Sequence, residues 1–286
     1  MNQIKLFIEL TRLKRPIGFM LLFWPCLWGL TIVYDFNLDL ITYFFYSALF
    51  LSGSILMRSA GCIVNDIADK NFDKEVERTK NRPIASGKVS IKLASSYALI
   101  LCAIAFLVLI NFNYFTILMA LISMPLAFTY PLMKRITYWP QLFLGLTFNW
   151  GIIMAWTAVN NNVSYEIITL YISAIFWTLG YDTIYGAQDM IDDEIIGVKS
   201  TSIKFKKNIK FFVSTSYLLT SLILIYLFQD MLGLNAFTIL LIFFILSLIY
   251  QVKKFNKYRA EDCLNAFKFN NISGLVLFLC IYSINL

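Results

Sequence analysis

The chain contains no histidine among its 286 residues, which removes the commonest general base and every histidine-activated nucleophile from the chemistry open to it. No nucleophile-elbow or comparable signature takes their place. Cysteine is sparse as well, since Cys26, Cys62, Cys102, Cys263 and Cys280 occur singly. Four of them lie in or beside apolar runs without metal-ligand spacing, and they read as packing residues. Glycine is low at 12, and the bias toward Ile, Phe, Asn and Lys is that of an AT-rich bacterial genome. Charge is the sharpest deficit: 14% of residues are charged against 59% hydrophobic, with a mean hydropathy of +0.70. Those values exclude an ordinary soluble domain and place the chain in a membrane.

A spanning helix needs ~20 mainly apolar residues, and nine such stretches are present, at 17–34, 40–64, 92–110, 114–133, 138–158, 165–184, 210–228, 235–252 and 268–285. They use most of the chain, so a single domain over 1–286 is expected. The net charge of +7 does not signal nucleic acid. With the N-terminus inside, all 24 Lys and Arg fall in Lys5 to Arg15, Arg58 to Lys92, Lys134 and Arg135, Lys199 to Lys210, and Lys253 to Lys268. The opposite connections, around Asp35 to Asp39, Asn111 to Asn113, Asn160 to Asn162 and Asp230 to Asn235, hold none, as the positive-inside bias requires. The segment before the first span is too short for a cleaved signal peptide and serves as an orienting charge.

The acids concentrate twice. Residues 65–77 (NDIADKNFDKEVE) and 182–194 (DTIYGAQDMIDDE) hold ten of the seventeen Asp and Glu, each at the basic end of an expected helix. Asn65, Asp69 and Asp73 follow at i, i+4, i+8, within about 80° on one helical face. Asp182, Asp189 and Asp193 follow at i, i+7, i+11, and each returns to within roughly 20° of the first. Like charges stacked on a face repel unless a cation lies between them, and hard oxygen donors select magnesium or calcium. A solvated helix end laced with i,i+4 pairs explains one such cluster. Two on the same side, one of them reaching into the membrane at Asp182, point to function.

Basic and aromatic side chains accompany the acids. Arg78 and Arg82 follow the first cluster and Lys199 the second, while Arg58 and Lys134 sit at membrane-embedded helix ends. Carboxylates holding magnesium opposite Arg and Lys make a diphosphate clamp. Tyr130, Asn149 and Tyr185 lie at the same depth and are candidate substrate contacts, as is Asp66.

The run N-D-x-x-D-x-x-x-D at 65–73, followed by V-E-R-T-K-N-R-P-I-A-S-G at 76–87, resembles the first signature of the UbiA-type prenyltransferases. The run Y-D-T-I-Y-G-A-Q-D-M-I-D-D at 181–193, continuing to G-V-K-S-T at 197–201, resembles the second signature of their 4-hydroxybenzoate polyprenyltransferase branch. Y-P-L-M-K-R-I-T-Y-W-P-Q at 130–141 is also similar, and the resemblance covers nearly the whole chain. It implies an all-α polytopic fold of nine transmembrane helices around a central cavity, with cytoplasmic cap loops and entry from the bilayer. It also implies two magnesium ions on a polyprenyl diphosphate, held by Asn65, Asp69, Asp73, Asp182, Asp189 and Asp193, with Arg58, Arg82, Lys134 and Tyr130 on the diphosphate. The implied acceptor is 4-hydroxybenzoate, alkylated ortho to its hydroxyl in ubiquinone synthesis in a bacterial inner membrane, with no obligate protein partner. A naphthoate, homogentisate or haem acceptor remains open at this stage, as does a cation-coupled transporter using the intramembrane acids as a relay.

Overall fold

The computed structural model describes residues 3–37 and 39–285. All regular structure among them is helical: α1 (Gln3–Thr11), α2 (Ile17–Val33), α3 (Leu40–Ala68), α4 (Lys70–Glu75), α5 (Ile91–Leu109), α6 (Tyr114–Ile136), α7 (Pro140–Phe148), α8 (Gly151–Val159), α9 (Tyr165–Gly186), α10 (Met190–Ile195), α11 (Thr201–Lys204), α12 (Ile209–Leu227), α13 (Ala236–Lys254) and α14 (Ala260–Tyr282).

Eight helical segments among the described residues are long and apolar enough to cross a membrane, with Pro140–Val159 counting as one. The ninth expected stretch is a shorter apolar helix that runs across the bundle beside α3, from Arg12 at the Asp66 end to Tyr34 beside Tyr43. The stretch at 17–34 forms α2, which has 17 residues and reaches ~26 Å, just short of a ~30 Å hydrocarbon core. The stretch at 138–158 is likewise not continuous, for Asn149 and Trp150 separate α7 from α8. The short helices α1, α4, α10 and α11 lie outside the nine expected stretches, with α1 ahead of the first.

The helices that begin at the lysine-free end are started by polar caps. Asp39 accepts from the amides of Ile41 and Thr42, Asn113 from Thr116, Ser164 from Ile167 and Asn235 from Thr238. Each supplies an acceptor for helix-end amides that have no intrahelical partner. Two apolar clusters hold the bundle. The larger joins α2, α8, α9, α12, α13 and α14, with Trp28 and Trp177 in ring contact at 5.0 Å. Gly29 permits a close approach of α2 to the α8 backbone, because a Cβ there would stand 2.5 Å from the Ile152 carbonyl oxygen. The smaller cluster seats Leu6 and Leu10 of α1 against Ile63 of α3 and Ala98 of α5. Hydrocarbon does not drive apolar faces together, so polar side chains help to fix these helices. Trp177 donates to Asn270 (2.9 Å), Asn270 and Tyr217 both donate to Gln251 (2.8 and 2.7 Å), and Gln251 donates to Ser273 (3.1 Å).

α5 packs on α3, whereas α6 packs on α7 and α8. Between them the molecule encloses a cavity of about 1630 Å³.

Candidate active site

The cavity has a polar mouth and an apolar body. α3 carries Arg58, Asn65 and Asp66 to the mouth. The helix then breaks at Asp69, whose backbone (φ −94°, ψ 4°) separates α3 from α4. On the opposite wall α9 brings Asp182 and Tyr185, a 3-10 turn over Ala187–Asp189 follows, and α10 presents Asp193. The two acid clusters are thus not carried on continuous helices, and the angular argument that grouped them is corrected. Tightened and broken turns still aim Asp69, Asp73, Asp189 and Asp193 into one space. Asp192 is absent from the cavity wall.

Four acids at the mouth, Asp66, Asp69, Asp73 and Asp189, are each taken by a base. Lys134, in the last turn of α6, bonds one oxygen of Asp69. Arg78 forks onto Asp189 at 2.7 and 2.5 Å. Arg82 Nη1 spans Asp73, at 3.0 and 2.9 Å, and Asp66, at 3.1 Å. Arg12 Nη2 reaches the same Asp66 oxygen at 2.5 Å. Burial pushes the Asp73 carboxyl upward, against the pull of Arg82. Among the described residues four buried side-chain atoms have no hydrogen-bond partner, and three of them, Asp69 Oδ1, Arg58 Nε and Tyr181 Oη, belong to residues of the cavity wall. Arg58 lies flat against α2 and over the Phe148 ring at 5.5 Å. Gly18 makes room for it, since a Cβ there would come within 2.8 Å of Arg58 Nε.

Of the residues singled out in the sequence, Arg58, Asn65, Asp66, Asp69, Asp73, Arg78, Arg82, Tyr130, Lys134, Asp182, Tyr185, Asp189, Asp193 and Lys199 all line this cavity. Lys199 turns its ammonium onto the Ile136 carbonyl at 3.2 Å. Asp66, at 2% exposure, is held by two arginines through the same Oδ1. Asn149 is a correction. It is fully buried at the α7–α8 break and spends its amide on Gly145, Ala174 and Thr178, away from the cavity. Arg12 is the mouth residue that the sequence reading passed over as one more orienting charge. Among the described residues no three His, Cys, Asp or Glu are grouped to hold a metal, because the carboxylates are drawn onto Arg and Lys. Their donors are nonetheless all hard oxygens, and Asp69 Oδ1 is buried without a hydrogen bond, with only Arg135 at 4.0 Å in ion-pair range, so the set fits a hard divalent cation.

Below the mouth the wall turns apolar, through Phe50 and Met57 of α3, Phe106 of α5, and Leu121, Met124 and Phe128 of α6. Phe106, Leu121 and Phe128 are also exposed on the outer face, so the cavity reaches the lipid-facing surface between α5 and α6. Such a shape receives a long apolar tail sideways while its charged head sits among bases.

The model of the UbiA prenyltransferase family matches residues 22–272. The chain belongs to that family. A 4-hydroxybenzoate octaprenyltransferase of Vibrio atlanticus is 41% identical, covering 96% of each chain. A mitochondrial 4-hydroxybenzoate polyprenyltransferase of Rattus norvegicus is 40% identical over 98% of this chain and 75% of its own. Among solved structures, a UbiA homologue from Aeropyrum pernix superposes with a TM-score of 0.77 at 23% identity, covering 94% of this chain and 98% of its own. One from Archaeoglobus fulgidus, bound to GPP and Mg2+, gives 0.74 at 16%, covering 97% and 99%. Membership gives this UbiA chain its fold, a multi-span helical bundle around a central cavity.

Proposed function

We propose that the protein transfers a polyprenyl group from polyprenyl diphosphate to the ring carbon ortho to the hydroxyl of 4-hydroxybenzoate, releasing diphosphate, in ubiquinone biosynthesis. One observation carries the reading: a single cavity joins a lipid-facing apolar body to a mouth where Arg78, Arg82 and Lys134 stand among Asp69, Asp73 and Asp189. The relatives named for 4-hydroxybenzoate supply the acceptor.

The apolar wall binds the prenyl chain and keeps water from the allylic carbon. Arg78, Arg82 and Lys134 are held by carboxylates in the resting arrangement, and they turn to the diphosphate oxygens, where a guanidinium fork binds in bidentate fashion. Arg58, with its Nε unpaired, and Tyr130 add donors on the same wall. Asn65, Asp69, Asp73, Asp182, Asp189 and Asp193 would hold magnesium, which would neutralise the charge that develops on the departing diphosphate. With a cation held there, the aspartates would stay compensated when Arg78, Arg82 and Lys134 leave them, so neither partner would be buried without a counter-charge.

We read residues 1–286 as one domain in a bacterial inner membrane with a cytoplasmic N-terminus, an orientation supported by the one-sided Lys and Arg. The test is prenylation of 4-hydroxybenzoate by purified protein in detergent, with magnesium or with EDTA. Product with magnesium and none with EDTA is expected. No product from this acceptor, but product from a naphthoate or homogentisate, would move the pathway and keep the chemistry.

A further inference from the structure

Arg12 closes a chain of charge that no signature motif includes. Asp66 is 2% exposed and carries Arg12 on one side and Arg82 on the other, through the same Oδ1. Arg82 in turn bonds Asp66 and Asp73 with one nitrogen, Nη1. A buried carboxylate stripped of a partner is strongly unfavourable. Without Arg12, the full charge of Asp66 would fall on Arg82 and draw it from Asp73 and from the cavity.

The backbone supports the same conclusion independently. Arg12 has φ +54°, the left-handed region that a residue with a Cβ seldom occupies and that is retained where the surroundings enforce it. Here α1 enforces it. Leu6 and Leu10 are buried in the smaller apolar cluster, Phe7 meets the Tyr97 ring edge-on at 5.2 Å, and the Thr11 hydroxyl donates to the Phe7 carbonyl. The helix is a strap across the mouth, and Arg12, the residue that follows it, delivers its guanidinium to Asp66.

We propose that Arg12 is a positioning residue for prenyl transfer: by compensating Asp66 it leaves Arg82 on Asp73 and available to the diphosphate. The inference rests on the prenyl-transfer reading, and wild-type turnover in the same assay tests that reading separately. Three purified proteins, wild type, R12Q and R12Q/D66N, are compared with geranyl diphosphate, 4-hydroxybenzoate and magnesium, and thermal unfolding of each is followed in parallel. R12Q should raise KM for geranyl diphosphate about tenfold and leave KM for 4-hydroxybenzoate within about twofold. The double variant removes the charge that Arg12 compensates, and it should recover most of the loss, which a mere clamp between α1 and α3 would not do. An unchanged KM in R12Q, an equal rise for both substrates, or a double variant no better than R12Q overturns the proposal. If R12Q does not accumulate, the double variant decides alone: near wild-type KM supports the charge argument, and failure overturns it.

Discussion

Asp69 and Asp189 hold corresponding places on the two walls, one bonded by Lys134 and the other forked by Arg78. Removing either carboxylate takes away a hard oxygen donor and strands a cation at the mouth. D69A and D189A should each lower turnover by about a hundredfold or more while inserting normally, as assayed by product formation beside membrane-fraction immunoblots. Asp192 has no place on the cavity wall, so D192A should stay within about threefold of wild type in the same assay. Equal loss at Asp192 would mean that α10 is turned differently from the arrangement described. The aspartates were legible from spacing because a cluster of like charges on an apolar chain is costly and therefore informative. Their pairings were not, since Arg12 meets Asp66 across 54 positions and Lys134 meets Asp69 across 65. Asn149 misled for a related reason. A polar residue within an apolar stretch signals either a ligand contact or a helix break, and here its amide repairs the break between α7 and α8.

Most helices were readable to within about four residues, because ~20 apolar positions in a row leave little other choice in a bilayer; α14 is the exception, beginning at Ala260 where the apolar stretch begins at 268. What hydropathy does not encode is where a helix breaks: Asn149 and Trp150 divide an apolar stretch, 138–158, whose composition continues unchanged. Nor does it register α1, which is too short to span and earns its place by packing. Close helix approach is equally invisible until partners are known. Gly29 is such a position, and G29V would push side-chain carbons into the Ile152 carbonyl of α8. Overpacking of this kind costs about 1–3 kcal/mol. G29V should therefore melt several degrees lower in detergent, and a melting temperature equal to wild type would show that α2 and α8 can separate without cost.

Over the whole molecule, all 24 Lys and Arg occupy one set of connections, and the other set is built from Asp, Asn and Ser caps. On a cysteine-free background, a single cysteine at Asn161 and another at Lys207 should react with a membrane-impermeant maleimide from opposite faces of sealed vesicles, with Lys207 on the side of the N-terminus. Reaction of both from one face would invalidate the orientation. The bundle also separates its duties in space. The bonded set of Trp177, Asn270, Gln251, Tyr217 and Ser273, on α9, α12, α13 and α14, lies outside the cavity wall. Inherited or selected changes in that set would be recorded as loss of protein rather than loss of rate: a strain carrying Gln251→Leu would make less quinone only because fewer copies survive quality control, and raising expression would cure it.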